Sequence, residues 1–301
     1  MAGLIDPSPR TLPGTTLAVG PLAFGCWRFV GPDTGPAADL LETAVGLGMN
    51  LVDNADVYGL DWGGAGFGAN EALLGRVLAA RPGLRDRIVL ATKGGIVPPV
   101  PYDSSPTALR AACEASLRRL GVDVIDLYQI HRPDLFTHPA ALADTLGTLV
   151  AEGKVRAVGV SNHTPAQTAS LAAHLPFPIV TDQPEYSVAQ LAPLRDGTFD
   201  ACAATGRVPL AWSPLGGGRV ATGEGLRADL LETLDALAER EQVSRSAMAL
   251  AFVLAHPTRP VAVVGTQQPN RLVDAVTALG VHLDRADVYR IVQAAEGVPL
   301  P

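Results

Sequence analysis

Eight short apolar runs, separated by segments with helical periodicity, predict a single-domain (β/α)8 TIM barrel, an α/β fold. The runs are rich in Val, Ile or Leu, and their lack of strict polar alternation is typical of parallel strands covered on both faces. The chain has 301 residues, and about 250 residues is an ordinary length for this barrel. The predicted strands lie at residues 22–26, 51–55, 88–92, 125–130, 155–160, 179–183, 208–212 and 261–264.

Six segments between these runs have the spacing of amphipathic helices. They span residues 37–48, 70–79, 106–120, 139–151, 165–175 and 226–239. Two helix starts are marked by Ser105 before Pro106 and Thr164 before Pro165, because Ser and Thr cap helices and proline suits the first position. Three glycines stand where a left-handed residue commonly ends a helix: Gly48, Gly121 and Gly153.

A doubly wound open sheet is the alternative fold, because it also alternates strands with helices. Such a sheet normally carries a Gly-x-Gly-x-x-Gly turn after its first strand, and none follows residues 22–26. We find no linker, low-complexity tract or internal repeat along the chain. We therefore expect one domain over residues 1–301.

The composition indicates a globular protein with small-molecule partners. Hydrophobic residues make up 48% of the chain and charged residues 18%, which suits a large core. A formal net charge of -7 without a Lys/Arg cluster disfavours nucleic-acid and anionic-membrane partners. No apolar run approaches the ~18 residues of a membrane span, and no secretory leader pattern opens the chain. Its three widely spaced cysteines fit reduced thiols. We expect a cytoplasmic protein, of unknown oligomeric state.

Polar side chains follow nearly every predicted strand. Active sites of (β/α)8 barrels lie at the carboxyl ends of the strands, so these side chains are candidates for chemistry. In chain order they are Asp53, Asp56, Tyr58, Lys93, His131, Ser161, Asn162, Asp182, Gln183, Trp212 and Ser213.

The order and spacing of these residues resemble the aldo-keto reductase superfamily. The motifs are VDNADVYG after strand two, VLATKGG across strand three, LYQIHRPD across strand four, GVSNH after strand five, DQPEYS after strand six and AWSPLGGG after strand seven. They cover essentially the whole chain and look most like bacterial carbonyl reductases. The resemblance implies a barrel that binds NADP(H) without a Rossmann domain. It also implies reduction of aldehydes or ketones to alcohols by direct hydride transfer, with imines as a further substrate class.

The resemblance implies a catalytic set of Asp53, Tyr58, Lys93 and His131. Carbonyl reduction builds negative charge on oxygen, which needs a proton donor. Tyr58 is the expected general acid. Lys93 would stabilise its phenolate, and Asp53 would keep the buried Lys93 charged. His131 would orient the substrate oxygen. Asp56 receives no catalytic role, and we expect it to cap the loop after strand two.

The second half of the barrel resembles the family's nicotinamide site. Ser161, Asn162 and Gln183 match residues that bind the carboxamide, whose donors and acceptors suit amide and hydroxyl groups. Trp212 stands where the family places an aromatic ring, often tyrosine, against the nicotinamide.

The resemblance also assigns the rest of the cofactor. Ser213, Leu215 and Gly217 would bring backbone N–H groups to the pyrophosphate.

At the next helix start, Arg271 with Thr266 and Gln267 would hold the adenosine 2′-phosphate, since a guanidinium fits a phosphate dianion. Some branches of the family carry a lysine where this chain has Gly265, which weakens strict selection of the phosphate. The expected cofactor is NADPH/NADP+, with NADH less favoured.

The substrate pocket is expected to include Trp27 after strand one and Trp62 in the loop after Tyr58, with Phe29 as a further candidate. Aromatic walls favour hydrophobic or aromatic carbonyl compounds, or planar imines, over charged carbohydrates.

Three alternatives to the reductase hypothesis stay open at this point. The chain could be a nicotinamide-binding regulatory module with vestigial turnover, as some members of the superfamily are channel subunits. Lys93 could be the Schiff-base lysine of a barrel aldolase. Asp53, Asp56, His131 and His163 are potential metal ligands, but no His-Glu-x-x-His or Cys-x-x-Cys spacing is present, and we expect no metal.

Overall fold

Eight parallel strands close into a barrel in the computed structural model, which describes residues 3–300. Met1, Ala2 and Pro301, at the ends of the predicted domain, lie outside the described residues. The strands are β1 Arg10–Thr11 and β2 Ala18–Val19, which form an antiparallel hairpin, and the barrel strands β3 Leu22–Gly25, β4 Leu51–Asp53, β5 Val89–Gly94, β6 Ile125–Ile130, β7 Val155–Ser161, β8 Ile179–Gln183, β9 Val208–Ala211 and β10 Val261–Val264. Each barrel strand pairs with its neighbours in sequence order, and β10 pairs with β3. The predicted (β/α)8 barrel is confirmed.

Helices follow the barrel strands. They are α1 Thr34–Gly46, α2 Ala69–Ala80, α3 Pro106–Leu120, α4 Pro139–Ala151, α5 Pro165–Ala172, α6 Thr198–Thr205, α7 Arg219–Thr222, α8 Ala228–Glu241, α9 Arg245–Leu254, α10 Pro269–Thr277 and α11 Arg285–Glu296. All six predicted helices are present. The six predicted segments do not include α6, α7, α9, α10 and α11. Residues 247–254 of α9 are all buried, and a helix that is apolar all round has no amphipathic period.

The predicted helix caps form. The Ser105 side chain accepts a hydrogen bond from the Ala108 N–H, and Thr164 forms a reciprocal capping box with Gln167. Gly121 ends α3 in the left-handed region, with φ +65°. These caps satisfy backbone groups that a helix end otherwise leaves unpaired.

The barrel interior is filled by small and branched apolar side chains at its amino-terminal end. Leu12 and Val19, from the β1–β2 hairpin, belong to the same buried cluster as Ala23 and Leu51 of the first barrel strands. The hairpin therefore closes the amino-terminal mouth. The polar candidate residues lie at the opposite end, where the strands have their carboxyl ends.

A second and larger apolar cluster lies between the barrel and its helices. Cys26, Cys113 and Cys202 are buried and free of disulfide bonds. Within residues 3–300, every helix falls short of the length and apolarity needed to cross a bilayer.

Candidate active site

Four side chains meet at the carboxyl end of the barrel. Asp53 ends β4 and Tyr58 lies in the turn after it, while Lys93 lies on β5 and His131 directly follows β6. Lys93 Nζ donates to Asp53 Oδ2 at 2.7 Å, to the Asn54 carbonyl at 2.9 Å and to Tyr58 Oη at 3.3 Å. The His131 ring stands edge-on to the Tyr58 ring, with centroids 5.7 Å apart. The fold thus brings together all four residues of the predicted catalytic set.

Lys93 is a buried cation. Its side chain is 0% exposed and that of Asp53 is 3% exposed. Burial alone would lower the pKa of Lys93, but the Asp53 carboxylate and Tyr58 outweigh burial, so that the pKa lies above its ordinary value. A Schiff-base lysine attacks as the neutral amine. The charged ammonium of Lys93 therefore disfavours the aldolase alternative.

Tyr58 holds a proton that a nearby cation can help to release. Burial raises the pKa of Tyr58, and the charge of Lys93 opposes that rise without cancelling it. The phenol is therefore protonated at neutral pH. A phenolate formed there would lie within hydrogen-bonding distance of the Lys93 ammonium. This is the arrangement that a general acid requires.

His131 is a neutral imidazole at neutral pH. Burial lowers its pKa well below the ordinary value, and the charges of Lys93 and Arg132 lower it further. Its Nδ1 is buried and finds no hydrogen-bond partner within residues 3–300. A neutral ring can donate one hydrogen bond to a substrate oxygen, which suits an orienting role.

Asp56 lies in the turn after β4, and its capping of that loop stays a prediction. Its carboxyl is buried, and neither oxygen has a hydrogen-bond partner in the described part of the chain. Burial raises its pKa to about 8, and the charge of Glu71 adds to the rise. Glu71 is bound by Thr92 at 2.5 Å and by Arg119 at 2.7 Å. Asp56 is therefore protonated at neutral pH.

Gln129 and Thr181 were not among the predicted site residues, yet Gln129 contacts Asp53 of the predicted catalytic set, and Thr181 contacts Gln129. Gln129 Nε2 donates to Asp53 Oδ1 at 3.1 Å, and Thr181 Oγ1 donates to Gln129 Oε1 at 3.3 Å. Both side chains are buried. The one signal in the sequence is an amide within a predicted buried strand, the Gln of LYQIH.

The residues predicted to hold the nicotinamide carboxamide form one hydrogen-bonded group. Ser161 Oγ donates to the Gln183 carbonyl at 2.9 Å, and Asn162 Nδ2 donates to Ser161 Oγ at 2.8 Å. Trp212 Nε1 donates to Asn162 Oδ1 at 3.0 Å. Gln183 Nε2 is buried without a partner in residues 3–300. An unpaired amide donor in this place fits a carboxamide oxygen.

The glycine run after β9 exposes its backbone. Ser213, Gly217 and Gly218 have φ of +48°, +72° and +106°. A Cβ added at Gly217 or Gly218 would meet no atom within 4 Å. The Leu215 carbonyl accepts from the Gly218 N–H at 3.0 Å, and Arg28 Nη2 donates to the Gly217 carbonyl at 2.9 Å. A turn whose backbone is not covered by side chains, next to the Arg28 guanidinium, could accommodate a pyrophosphate.

Thr266, Gln267 and Arg271 lie around the start of α10. Arg271 is exposed, and its guanidinium makes no hydrogen bond or ion pair with any residue from 3 to 300. Gln267 Nε2 is buried and unpaired in the same range. An added Cβ at Gly265 would meet only the Gly25 carbonyl, at 3.7 Å. The start of α10 therefore has room and free donors for an anion.

Trp27 and Trp62 form the aromatic part of the barrel mouth. Their rings pack edge to face with centroids 5.3 Å apart, and Trp62 is 52% exposed. The Arg28 guanidinium lies 4.3 Å from the centroid of the Trp62 ring. Asp61 accepts from Trp27 Nε1 at 3.1 Å. The mouth thus carries a cation and an anion beside its two rings.

Phe29 does not line the mouth, so its prediction as a pocket residue is wrong. Its ring is buried and packs edge-on against Phe24, with centroids 5.6 Å apart. A turn closed by the Phe29 N–H and the Cys26 carbonyl, at 2.9 Å, directs the ring back to the core.

No cluster of three or more His, Cys, Asp or Glu side chains able to hold a metal occurs in residues 3–300.

The aldo/keto reductase family model matches residues 21–296. The chain belongs to the aldo/keto reductase family. A 6-dehydroglucose reductase from Novosphingobium aromaticivorans is 46% identical over 300 residues, covering 99% of this chain and 98% of the relative. A second 6-dehydroglucose reductase, from Agrobacterium fabrum, is 35% identical over 294 residues, covering 93% and 96% of the two chains. Among solved structures, the glycerol dehydrogenase from Gluconobacter oxydans is similar with a TM-score of 0.83 at 26% identity, covering 97% of each chain.

Family membership confirms the resemblance carried by the strand-end motifs. Members of the aldo/keto reductase family are oxidoreductases that use nicotinamide cofactors, and the relatives named above are reductases and dehydrogenases. The chain is therefore an oxidoreductase whose general chemistry is carbonyl reduction.

Proposed function

We propose that this chain is an NADPH-dependent carbonyl reductase in which Tyr58 is the general acid. The observation that carries the proposal is the buried run of contacts from Asp53 to Lys93, at 2.7 Å, and from Lys93 to Tyr58, at 3.3 Å. These contacts leave a protonated phenol next to a permanent cation. That pairing has little use in a protein that only binds its ligand.

When bound, the reduced nicotinamide supplies a hydride to the carbonyl carbon. Tyr58 Oη transfers its proton to the carbonyl oxygen, where negative charge develops. The Lys93 ammonium stabilises the phenolate that remains, and Asp53 keeps that ammonium charged. His131, as a neutral ring, donates a hydrogen bond that directs the substrate oxygen toward Tyr58.

The cofactor would be held along the second half of the barrel. Ser161, Asn162 and Gln183 would bind the carboxamide and so choose the ring face that delivers hydride. Trp212 would pack against the ring. The unpaired Gln183 Nε2 supports this proposal.

The phosphates would be held at two sites. Ser213, Leu215 and Gly217 would offer backbone groups to the pyrophosphate.

The 2′-phosphate would be held by Arg271, with Thr266 and Gln267 beside it. Because the Arg271 guanidinium is exposed at the start of α10, it is free to take a dianion. This supports NADPH over NADH.

The candidate substrate is 6-dehydroglucose, after the relatives that carry this name. The rings of Trp27 and Trp62 offer flat apolar faces to the C–H groups of a sugar. Arg28 and Asp61 add a donor and an acceptor for hydroxyl groups. A barrel mouth with apolar ring faces and hydrogen-bonding groups fits a polyhydroxylated carbonyl compound better than the hydrophobic or aromatic compounds expected from the two tryptophans.

The single domain over residues 1–301 and the cytoplasmic location stay predictions.

The experiment is steady-state NADPH oxidation by the purified chain with 6-dehydroglucose, an aliphatic aldehyde and an aromatic aldehyde, each also run with NADH. We expect carbonyl-dependent oxidation, with the highest kcat/KM for the sugar and for NADPH. Binding of NADPH without carbonyl-dependent oxidation would reject the reductase and favour the regulatory module. Faster turnover of the aromatic aldehyde would reject only the sugar substrate.

A further inference from the structure

Gln129 is a fully buried amide next to the proposed catalytic set. It lies on β6, two residues before His131, and pairs across the sheet with Lys93 of β5. Its exposed fraction is 0%. A buried amide costs free energy unless both of its ends are hydrogen-bonded. The partners of Gln129 therefore indicate what it does.

Both ends of the Gln129 amide are engaged, and their direction is fixed. The Asp53 carboxylate can only accept, so the Nε2 end must face it, and Nε2 donates to Oδ1 at 3.1 Å. The Oε1 end then accepts from Thr181 Oγ1 at 3.3 Å. Since Lys93 occupies Asp53 Oδ2, the amide completes the coordination of the carboxylate. A reversed amide would turn an oxygen toward a carboxylate, which is unfavourable.

The neighbouring strands are built around this contact. β8 has one extra residue, Val180, in its register with β7, so that Gly159 pairs with Thr181. Such bulges commonly redirect side chains near active sites. A Cβ at Gly159 would overlap Thr181 Oγ1 and lie 3.0 Å from Gln129 Cγ. The bulge and the glycine together bring the Thr181 hydroxyl to the amide.

We propose that Gln129, oriented by Thr181, is a positioning residue for the Asp53 carboxylate. Without this donor, Asp53 would be held by Lys93 alone and would draw the ammonium away from Tyr58. The support for the phenolate would then weaken, and proton transfer would slow. The inference rests on the proposed role of Tyr58 as general acid and adds two residues to that site.

The first test is Gln129→Leu, which keeps the side-chain volume and removes both hydrogen bonds. We expect kcat to fall about 10- to 100-fold, the usual size of a lost hydrogen bond to a charged group. KM for NADPH should change by less than about twofold, because the cofactor contacts lie on other strands. The fall in kcat without a change in KM is the expected signature of positioning.

The second test is the pH profile of Gln129→Glu. A protonated glutamic acid can replace the amide as a donor to Asp53, whereas the ionised form repels it. We expect kcat of the variant to fall with rising pH across a range in which the wild type is flat. The titratable groups next to this position are Asp53 from β4, which Gln129 contacts, and Lys93 from β5 and Tyr58, which are linked to Asp53 through hydrogen bonds. Gly159 of β7 and Thr181 of β8, which also lie against Gln129, do not ionise.

The third test is a double-mutant cycle. Thr181→Val alone should lower kcat about three- to tenfold, and it should have no further effect on Gln129→Leu, because Thr181 acts only through the amide. The matched control is Thr145→Val. Thr145 is also buried, and its hydroxyl donates to the Ala141 carbonyl within α4 at 2.9 Å. This control should keep kcat within about twofold.

A measurement that needs no turnover separates the positioning role of Gln129 from the proposed reductase function. With [13Cζ]tyrosine labelling, the Tyr58 signal, assigned by its loss in Tyr58→Phe, should shift in Gln129→Leu and stay in place in Thr145→Val. A wild type without carbonyl-dependent turnover would reject the proposed function, while the shift of the signal would still support the positioning role. The positioning role would be overturned if Gln129→Leu kept the wild-type kcat, if Gln129→Glu had a flat pH profile and if the Tyr58 signal stayed in place in Gln129→Leu. A lower melting temperature of these variants would not restore it.

Discussion

The catalytic side chains and the proposed cofactor contacts differ in how far the protein itself satisfies them. Asp53, Lys93 and Gln129 are buried, and Asp53 accepts hydrogen bonds from Lys93 at 2.7 Å and from Gln129 at 3.1 Å. Arg271, by contrast, is exposed, and Gln183 Nε2 has no partner within residues 3–300. The predicted catalytic residues are therefore preorganised before any ligand binds, whereas the proposed cofactor-binding residues leave hydrogen-bond donors unpaired. Substitutions in the first should slow turnover, and substitutions in the second should weaken binding.

Lys93→Met should have the largest effect. It removes the cation that supports Tyr58 and leaves the buried Asp53 carboxylate uncompensated. We expect kcat to fall at least about 1,000-fold, within the range of general acid catalysis, and the free energy of unfolding to fall by about 3–5 kcal/mol.

Steady-state kinetics and denaturant unfolding measure these two losses. NADPH affinity, measured by fluorescence titration on the fraction that stays folded, should change little. A Lys93→Met variant with normal kcat, or one that loses only NADPH affinity, would show that Lys93 does not serve turnover separately from cofactor binding.

Arg271→Gln should have the next largest effect, and on binding alone. We expect the Kd for NADPH to rise about 10- to 100-fold through the loss of charged hydrogen bonds to phosphate. The Kd for NADH and the melting temperature should stay unchanged.

Arg285→Gln is the matched control, because Arg285 is an exposed arginine at the start of another helix, α11. It should leave both Kd values unchanged. Equal weakening of NADPH and NADH by Arg271→Gln would assign Arg271 to some other part of the cofactor.

Asp56→Asn should have the smallest effect, confined to stability at alkaline pH. Burial raises the pKa of Asp56 to about 8, so the folded state disfavours the ionised carboxyl. The stability due to the neutral form is complete below about pH 4 and is lost as the pH rises through about 8. Asparagine keeps the neutral shape. At about pH 9 the variant should melt a few degrees higher than the wild type, by roughly 2 °C for each kcal/mol regained.

At about pH 4 the two proteins should melt at nearly the same temperature. Asp61→Asn serves as the control, since Asp61 is exposed in the same loop and should leave the pH dependence unchanged. Parallel melting curves for Asp56→Asn and the wild type across this range would show that Asp56 ionises normally.

The sequence predicts most of the fold because each barrel strand is a short apolar run with its own local signal. The runs at residues 125–130 and 179–183 coincide with β6 and β8. Helix α9 lacks such a signal, because its residues 247–254 are buried on every side. A helix of this kind resembles a long apolar run rather than an amphipathic one.

That Asp53, Tyr58, Lys93 and His131 lie together could be predicted because they follow successive strands, and the barrel brings strand ends together. Gln129 and Thr181 could not, since their contact depends on one extra residue in β8, which leaves no mark in the sequence. Phe29 was misplaced for a related reason. A single backbone turn decides whether a ring near a strand end faces the mouth or the core.

In the proposed mechanism, Tyr58 delivers the proton while taking no part in holding the cofactor. The decisive experiment is Tyr58→Phe, assayed with the best carbonyl substrate of the wild type and titrated with NADPH. We predict a fall in kcat of about 100- to 10,000-fold, with the Kd for NADPH within about twofold of the wild type. A Tyr58→Phe variant that keeps the wild-type kcat would show that Tyr58 is not the proton donor.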